Sequence, residues 1–432
     1  MSMLDVRERP QFVERAFLVR VYKDSREHDV ADDLLHELGD LAESLGVTVV
    51  GRELVRVRDT GPRLLMGMGN ADAIISMAAA VDADCLIFDN DLTPAQQRNW
   101  EGLSKLCVVD REEVIIDIFG RRAQTKEAQL QVALARAEFS LPRLQKAWAH
   151  LGRQGGSGGT GDRGEGEMQI EVDRRIVRRD ISRLKKDLTI VRKNRATQRK
   201  HRQRLPLPLA AIVGYTNAGK SSLLRRLTGA DVLVADKLFA TLDTTTRRIE
   251  LPNGQTVLLT DTVGFIRQLP HRLVEAFKAT LEEAVLASFL IHVLDVSHEN
   301  LPVFHQTTLD VLRELGADDK RILTVLNKVD LVDNSDHLDA VKAMFPDAVV
   351  VSVHTGEGMD TLQERIGEML AAETCLLSLR LPHDRSDVVA QIHRLGRVIN
   401  TRYEDDATYL DVSVPHRLAR EYEAFVEEPN VS

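Results

Sequence analysis

The 432-residue sequence predicts a multidomain α/β protein. Three observations predict it. Short apolar runs alternate with helix-spaced runs up to about residue 120. The spacing then changes to heptads over about 121–206. From 207 an apolar strand runs through a glycine-marked loop into a helix. The expected architecture is an N-terminal α/β domain (1–120) and a long antiparallel helical hairpin (121–206). A phosphate-loop domain of mixed sheet flanked by helices (207–372) and a small C-terminal α+β domain (373–432) follow.

In the first domain, FLVRVY (17–22) is β-rich, DDLLHELGDLAESLG (32–46) has helical spacing and stops at a glycine, and VTVVGREL returns to strand character. NADAIISMAAAV is helical, and CLIFD (85–89) is a short apolar strand. TPAQQRNWEGL opens a helix with Thr93 as N-cap and Pro94 in its first turn. The acidic run DNDL (89–92) admits a metal, but a strand-end turn capping the next helix accounts for it more simply.

In the hairpin, Leu130, Leu134, Ala137, Leu141, Leu144 and Trp148 step by four and three, and Pro142 is expected to kink or interrupt that arm. Ile170, Val177, Ile181, Leu184, Leu188 and Val191 form the stripe of the second arm. The joining loop, 152–167, has eight glycines between Gly152 and Gly166. It is either a plain flexible linker or a surface whose backbone can approach a ligand closely, with Arg153 and Arg163 as phosphate-reading groups.

Charge separates the arms. The chain carries a net −9, yet Asp173–Arg204 holds 14 Lys and Arg against three Asp, a net of +11. Such asymmetry points to a polyanion-binding element using Arg192, Lys193, Arg195, Arg199 and Lys200; the alternative is a solvated helix face. The charged start MSMLDVRERPQFVER lacks an apolar signal region, and no run of about 20 apolar residues would cross a membrane. The three scattered cysteines show neither zinc nor redox spacing, so a reducing cytosol is expected.

LAAIVGYTNAGKSSLLRRL (209–227) is a strand, a tight loop and a helix containing Gly-x-x-x-x-Gly-Lys-Ser. In such a loop the backbone N–H groups of 214–221 (Gly214, Tyr215, Thr216, Asn217, Ala218, Gly219, Lys220, Ser221) cradle phosphates at a helix N-terminus. Lys220 reaches the β- and γ-phosphates, and Ser221 ligates Mg²⁺. NKVD, with Asn327, Lys328, Val329 and Asp330, follows the apolar strand ILTVL. Asp330 can accept two N–H bonds from guanine, which adenine does not offer. At roughly 1.5–3 kcal/mol each, these bonds imply about a hundredfold preference or more. Ser352, Val353 and His354 are expected to close over the base, with Val353 where alanine is usual. The domain therefore reads as a P-loop GTPase.

Between these motifs lie two switch segments. FATLDTTTR supplies Phe239, Ala240, Thr241, Leu242 and Asp243. Thr241 is the candidate second Mg²⁺ ligand, and Thr244, Thr245 and Thr246 are nearby rivals. DTVGFI supplies Asp261, Thr262, Val263 and Gly264, with Asp261 reaching Mg²⁺ through water and the Gly264 N–H meeting the γ-phosphate. Phe265 stands where a water-orienting glutamine is common.

These residues resemble the HflX family of ribosome-associated GTPases. GYTNAGKSSL, LFATLD, DTVGFI and NKVD are similar to its G domain, LIFDNDLTPAQQRN to its N-terminal domain, and RQGG…RGEGEMQIEVDRR to its glycine-rich loop and basic helix. Glu165 replaces a usual proline, and Asn70 in LLMGMGN replaces a usual lysine. The resemblance implies that a hydrophobic residue at 265 is a family feature. It also implies that Asn217 holds K⁺ against the phosphates, although a loop-stabilising role is the alternative. Lys220, Thr241, Gly264 and Asn217 are then the catalytic set. The implied protein is a cytosolic, monomeric GTPase that binds GTP and GDP with Mg²⁺. It binds the large ribosomal subunit and its RNA, and it rescues or dissociates stalled ribosomes. Two other readings remain: a GTP-dependent protein-binding switch without RNA, and a tRNA-modifying GTPase, for which no further catalytic group is visible.

Overall fold

The computed structural model describes residues 13–144, 162–202, 207–229, 238–239, 241–242, 244–268, 283–371, 374–404 and 407–426. They form two compact units. The first gathers the described residues up to Val191 together with Leu238, Phe239, Arg267 and Gln268; the second gathers the rest.

The first unit is built on a four-stranded parallel sheet, β1 (Arg15–Tyr22), β2 (Thr48–Arg56), β3 (Cys85–Phe88) and β4 (Cys107–Asp110), in the order β2-β1-β3-β4. The crossovers are α1 (His28–Ser44), α2 (Met68–Ala80) and α3 (Pro94–Ser104), and α4 (Arg111–Arg122) follows β4. Parallel strands bury both faces, which is why CLIF and CVVD are continuous apolar runs. Phe17, Val19 and Val21 of β1 join Leu86, Phe88 and Trp100 in one core, and the Trp100 indole N–H donates to Leu64 O at 3.1 Å. On α1, buried Ala31, Leu34, Leu35, Leu38, Leu41 and Ala42 recur at helical spacing. Thr93 caps α3 in a capping box with Gln96, and Pro94 stands in the first turn.

The DNDL run is a strand-end turn. Asp89 pairs with Arg20 and with Arg111 (2.7 Å), and Asn90 exchanges two hydrogen bonds with Val21. Arg111 also pairs with Glu37 and donates to Arg267 O at 3.0 Å, while Arg267 Nε donates to Glu37 Oε2 at 3.1 Å. Among the described residues no cluster of His, Cys, Asp and Glu suits a metal ion.

The hairpin arms are α5 (Lys126–Arg143) and α6 (Asp162–Arg202), linked by Lys185–Glu138 at 2.8 Å. In α5 the buried residues are Ala128, Gln131, Val132, Ala135 and Phe139, not the leucine stripe read from the sequence, which is half-buried. The helix packs on α4. Pro142 is the penultimate residue of α5, where it ends the helix without interrupting it. Arg143 donates to Asp110 (2.8 Å), Gln97 and Leu92 O, tying the base of the arm to the sheet. On α6 the less exposed positions Val177, Ile181, Leu184, Leu188 and Val191 follow the expected stripe. Trp148 and the loop 152–161 lie outside the described residues.

The second unit holds a six-stranded mixed sheet, β5 (Leu209–Gly214), β6 (Thr245–Glu250), β7 (Thr256–Asp261), β8 (Phe289–Asp295), β9 (Arg321–Asn327) and β10 (Val349–Val350), in the order β10-β9-β8-β5-β7-β6. Only β6 runs antiparallel to its neighbour. Helices α7 (Lys220–Thr228), α8 (Leu301–Glu314), α9 (Ser335–Met344) and α10 (Met359–Ala371) flank it. A three-stranded antiparallel sheet follows, β11 (Thr374–Pro382), β12 (Arg397–Tyr403) and β13 (Ala407–Pro415), with β13 central and with helices α11 (Ser386–Leu395) and α12 (His416–Tyr422). The amphipathic segment DVVAQIHRLGRVI divides at Gly396. A Cβ there would fall 2.8 Å from Val414 Cγ1, and the chain leaves α11 for β12.

His292 on β8 is fully buried, both ring nitrogens lack hydrogen-bond partners, and its ring stacks on His305 of α8 at 5.1 Å. Burial above all, then the neighbouring His305 and the Lys220 charge, push it down to about 3 from 6.5. The folded protein therefore binds fewer protons at this site than the unfolded chain between those values. The contribution to stability is complete above pH 6.5 and falls away as pH drops toward 3. His292→Leu is expected to flatten the acid side of the stability profile. Thermal melting between pH 7.5 and pH 5 checks this, and equal slopes for both proteins would contradict it.

Candidate functional site

The phosphate loop is shaped by two glycines. Gly214 has φ +145° and a Cβ would fall 2.3 Å from Val293 O; Gly219 has φ +94° and a Cβ would fall 2.3 Å from Asn327 Nδ2. Between them the Tyr215 ring leaves the site and stacks on Phe304 at 3.9 Å. Asn217 is left-handed (φ 59°) with an exposed side chain. The backbone of Tyr215–Gly219 is thereby presented at the start of α7, where helix N–H groups and dipole favour an anion.

Lys220 is buried and donates to Tyr215 O at 2.6 Å. Burial lowers its pKa to about 8, against the opposing charge of Asp261. Asp261 ends β7. Burial raises its carboxyl, opposed by hydrogen bonds from Ser221, by the Lys220 charge and by Thr241 and the Thr262 N–H. Ser221 Oγ donates to Asp261 Oδ2 at 2.6 Å, Thr241 Oγ1 donates to the same oxygen at 2.8 Å, and the two hydroxyls are 2.6 Å apart.

Three mutual oxygen contacts share only two hydroxyl protons, so one contact has no proton between its oxygens. Asp261 Oδ1 is in addition buried without a partner. Crowded hard oxygens of this kind could hold a Mg²⁺-sized cation. The rivals of Thr241 stand elsewhere: Thr245 and Thr246 belong to β6, and Thr246 bonds Thr260 at 2.8 Å.

The second switch is fixed by backbone. Phe265 N donates to Gly214 O at 3.1 Å, and Thr216 N donates to Phe265 O at 2.8 Å. The Phe265 ring lies in a core with Ala211, Val213, Ala284, Ala287, Leu290 and Leu312. Gly264 consequently abuts the phosphate loop. A Cβ on it would fall 2.9 Å from Thr216 Cα and 3.0 Å from Lys220 Nζ. Thr262 Oγ1 donates to Ile212 O at 2.6 Å, and Val263 and Leu242 are buried.

Asn327 ends β9 and joins two loops. Its Nδ2 donates to Ala218 O at 2.9 Å, and its Oδ1 accepts from Val353 N at 3.1 Å. Val353 contributes that N–H while its side chain enters the core, so the usual alanine is not needed. Ser352 Oγ donates to Asp330 Oδ1 at 2.5 Å, and exposed His354 lies 3.7 Å from Asp330 Oδ2. Lys328, left-handed at φ 67°, pairs with Asp295 at 2.7 Å.

The structure thus gathers Thr216, Lys220, Ser221, Thr241, Asp261 and Gly264 in one place, and Asn327, Lys328, Asp330, Ser352, Val353 and His354 in a second joined to it by Asn327. Phe239 is not among them: its buried ring meets Phe119 edge-on at 4.6 Å in the first unit. Arg192 and Lys193 are exposed on α6, and Arg163, Arg195, Arg199 and Lys200 lie on the same helix. Ala240, Asp243 and Arg153 lie outside the described residues. Asp295 escaped the sequence reading; its signal was an aspartate closing the apolar run FLIHVLD.

Comparison with known proteins follows this geometry. Family profiles described as GTP-binding GTPase N-terminal, GTP-binding GTPase Middle Region and 50S ribosome-binding GTPase match residues 32–120, 122–202 and 209–328. The GTPase HflX of Akkermansia muciniphila is 50% identical over 99% of this chain and 100% of its own length. That of Escherichia coli K12 is 38% identical over 96% and 97%. Among solved structures, the SsGBP–GDP complex aligns with a TM-score of 0.48 and 25% identity over 82% of this chain and 98% of that chain. The chain belongs to the GTPase HflX family.

Proposed function

We propose that this GTPase binds the large ribosomal subunit, that GTP raises its affinity, and that it dissociates or rescues stalled ribosomes from the cytoplasm. GTP hydrolysis to GDP and phosphate is the chemistry of its family. The observation that carries the nucleotide reading is Asn327, which braces the phosphate loop with one end of its amide and the 352–354 loop with the other. Base recognition and phosphate binding therefore share one support.

In this reading Asp330 accepts the guanine N–H groups, and Ser352 holds its carboxylate. Asp295 holds the Lys328 ammonium. Lys220 and the Gly264 N–H bind the γ-phosphate. Ser221 and Thr241 would hold Mg²⁺, with Asp261 reaching it through water; the ion supplies charge neutralisation for the β- and γ-phosphates. Exposed Asn217 at the loop is the group that would hold K⁺.

The ribosomal part rests on two supports. The profile matching 209–328 describes a 50S ribosome-binding GTPase. The long helix α6 carries residues 173–202 of the +11 segment. Among the described residues no helix is long and apolar enough to cross a membrane.

Asp330→Asn is expected to weaken GTP binding about tenfold or more and to shift preference toward xanthine nucleotides, because an amide N–H would face the guanine donors. Competition binding of GTP, XTP and ATP measures it, and equal wild-type affinity for ATP and GTP contradicts the base assignment. Neutralising Arg192, Lys193, Arg195, Arg199 and Lys200 together should weaken sedimentation with large subunits and flatten its dependence on salt, since fewer phosphate counterions are released. GTP affinity should be retained. An unchanged salt slope would assign α6 to a protein partner or to solvent. Replacing K⁺ by Na⁺ should slow single-turnover hydrolysis, and Asn217→Ala should erase the difference between the ions. A wild-type rate indifferent to the ion would remove K⁺ from the site.

A further inference from the structure

Each switch segment sends one residue into the first compact unit. Phe239 stands two positions before Thr241, and Arg267 stands three positions after Gly264. Thr241 and Gly264 belong to the second unit, whereas Phe239 and Arg267 belong to the first. Helix α4 holds both. The Phe239 ring is buried and meets Phe119 edge-on at 4.6 Å. Arg267 is held twice: its carbonyl oxygen accepts from Arg111 Nη2 at 3.0 Å, and its Nε donates to Glu37 Oε2 at 3.1 Å. Arg111 and Phe119 stand on α4, about two turns apart.

The backbone is strained at both places. Phe239 has φ +53°, and Gln268, which follows Arg267, has φ +53° as well. The left-handed region is unfavourable for any side chain with a Cβ, most of all a bulky one, and persists only where surrounding contacts impose it. At Phe239 that contact is the buried ring; at Gln268 it is the doubly held Arg267. The ionic contacts have a second peculiarity. Three largely buried guanidinium groups, Arg20, Arg111 and Arg267, gather round two carboxylates, Asp89 and Glu37. Burial, then the Arg111 and Arg267 charges, lower Arg20 to about 10. Buried ion clusters add little net stability, and their best-attested use is to fix one arrangement among several. The arrangement fixed here has Thr241 Oγ1 2.8 Å from Asp261 Oδ2 and Gly264 against Lys220. The tethers are short, at most about 7 Å of chain from Phe239 to Thr241 and about 11 Å from Gly264 to Arg267. A displacement of either switch therefore pulls on its anchor.

We propose that Phe239 and Arg267 are positioning residues that hold Thr241 and Gly264 at the γ-phosphate, with α4 as their common support; this rests on the GTP hydrolase reading above. GTP selects the anchored arrangement, because its γ-phosphate meets the Gly264 N–H. GDP lacks that phosphate and does not select it. A ligand that favours one arrangement strengthens every contact special to it, so binding of GTP tightens the anchors and the anchors tighten binding of GTP. This accounts for two strained residues and a buried ion cluster at the two places where the switch segments join the first unit.

The test uses the full-length protein with Arg267→Met, Arg267→Lys and Phe119→Leu. Affinities for a non-hydrolysable GTP analogue and for GDP and single-turnover GTP hydrolysis are measured for each. Arg267→Met keeps the length of the side chain and removes its bond to Glu37; Phe119→Leu keeps an apolar residue and removes the ring contact. Each should lower the affinity for the analogue about fivefold or more, the usual scale of coupling between two sites, and slow hydrolysis, with GDP affinity unchanged. Arg267→Lys, whose ammonium still reaches Glu37, should recover part of the loss. An unchanged ratio of analogue to GDP affinity in both Arg267→Met and Phe119→Leu overturns the proposal, as does a parallel loss of both affinities, which marks a merely structural role. Hydrogen exchange of the α4 amides in the wild-type protein needs no variant: protection should be higher with the analogue than with GDP, and equal protection overturns the proposal. A wild-type protein that neither binds the analogue nor turns over GTP, alone or with ribosomes, would instead overturn the hydrolase reading.

Discussion

The backbone pairing of Phe265 with the phosphate loop fixes the candidate site. Phe265 N meets Gly214 O, and Thr216 N meets Phe265 O. These two bonds work like a short piece of parallel sheet between the end of β7 and the end of β5. They place Gly264 against Lys220, and they require glycine there, because any Cβ would collide with Thr216. The ring of Phe265 secures the arrangement by filling the core beneath Val213 and Leu290. The residue is a fastener for the second switch, which is why it carries no hydrogen-bonding group.

Asn327 extends that constraint to the base loops. One amide holds Ala218 O and Val353 N, so a shift in the phosphate loop strains the loop that presents Asp330, and the converse also holds. Asn327 is buried, and an unsatisfied amide there would be expensive. The pairing of Lys328 with Asp295 adds a second brace, anchored in turn because Asp295 Oδ1 accepts from Ser297 N and Oγ. The loops that present Asp330 are thus braced from two sides. Among the described switch residues the site is held mainly by the Ser221–Thr241–Asp261 contacts, and those are the contacts that a cation would rearrange.

What the sequence made legible has a physical pattern. Backbone-dictated features were readable: Gly214 and Gly219 admit no other residue, Thr93–Pro94 is a cap signal, and the alternation of apolar strands with helix-spaced runs announces an α/β domain. Features set by long-range contact were not. Four threonines between 241 and 246 are chemically equal in the sequence, and only the approach of Asp261 singles out Thr241. The first hairpin arm misled because a second stripe, Ala128, Val132, Ala135 and Phe139, runs beside the leucines, and it is the second that is buried. Phe239 was read with the nucleotide because it adjoins Thr241, yet its ring belongs with Phe119. Arg267 gave no signal at all, since its partners Glu37 and Arg111 lie 230 and 156 positions away.

An apolar residue after Gly264 also changes what controls the reaction. A glutamine side chain at that position could be aimed or misaimed by its own rotamers, so its disorder alone would slow hydrolysis. Phe265 carries no such group, and its backbone is held to Gly214 and Thr216. The first switch is held otherwise: Thr241 meets Ser221 and Asp261 through side-chain oxygens among the described contacts.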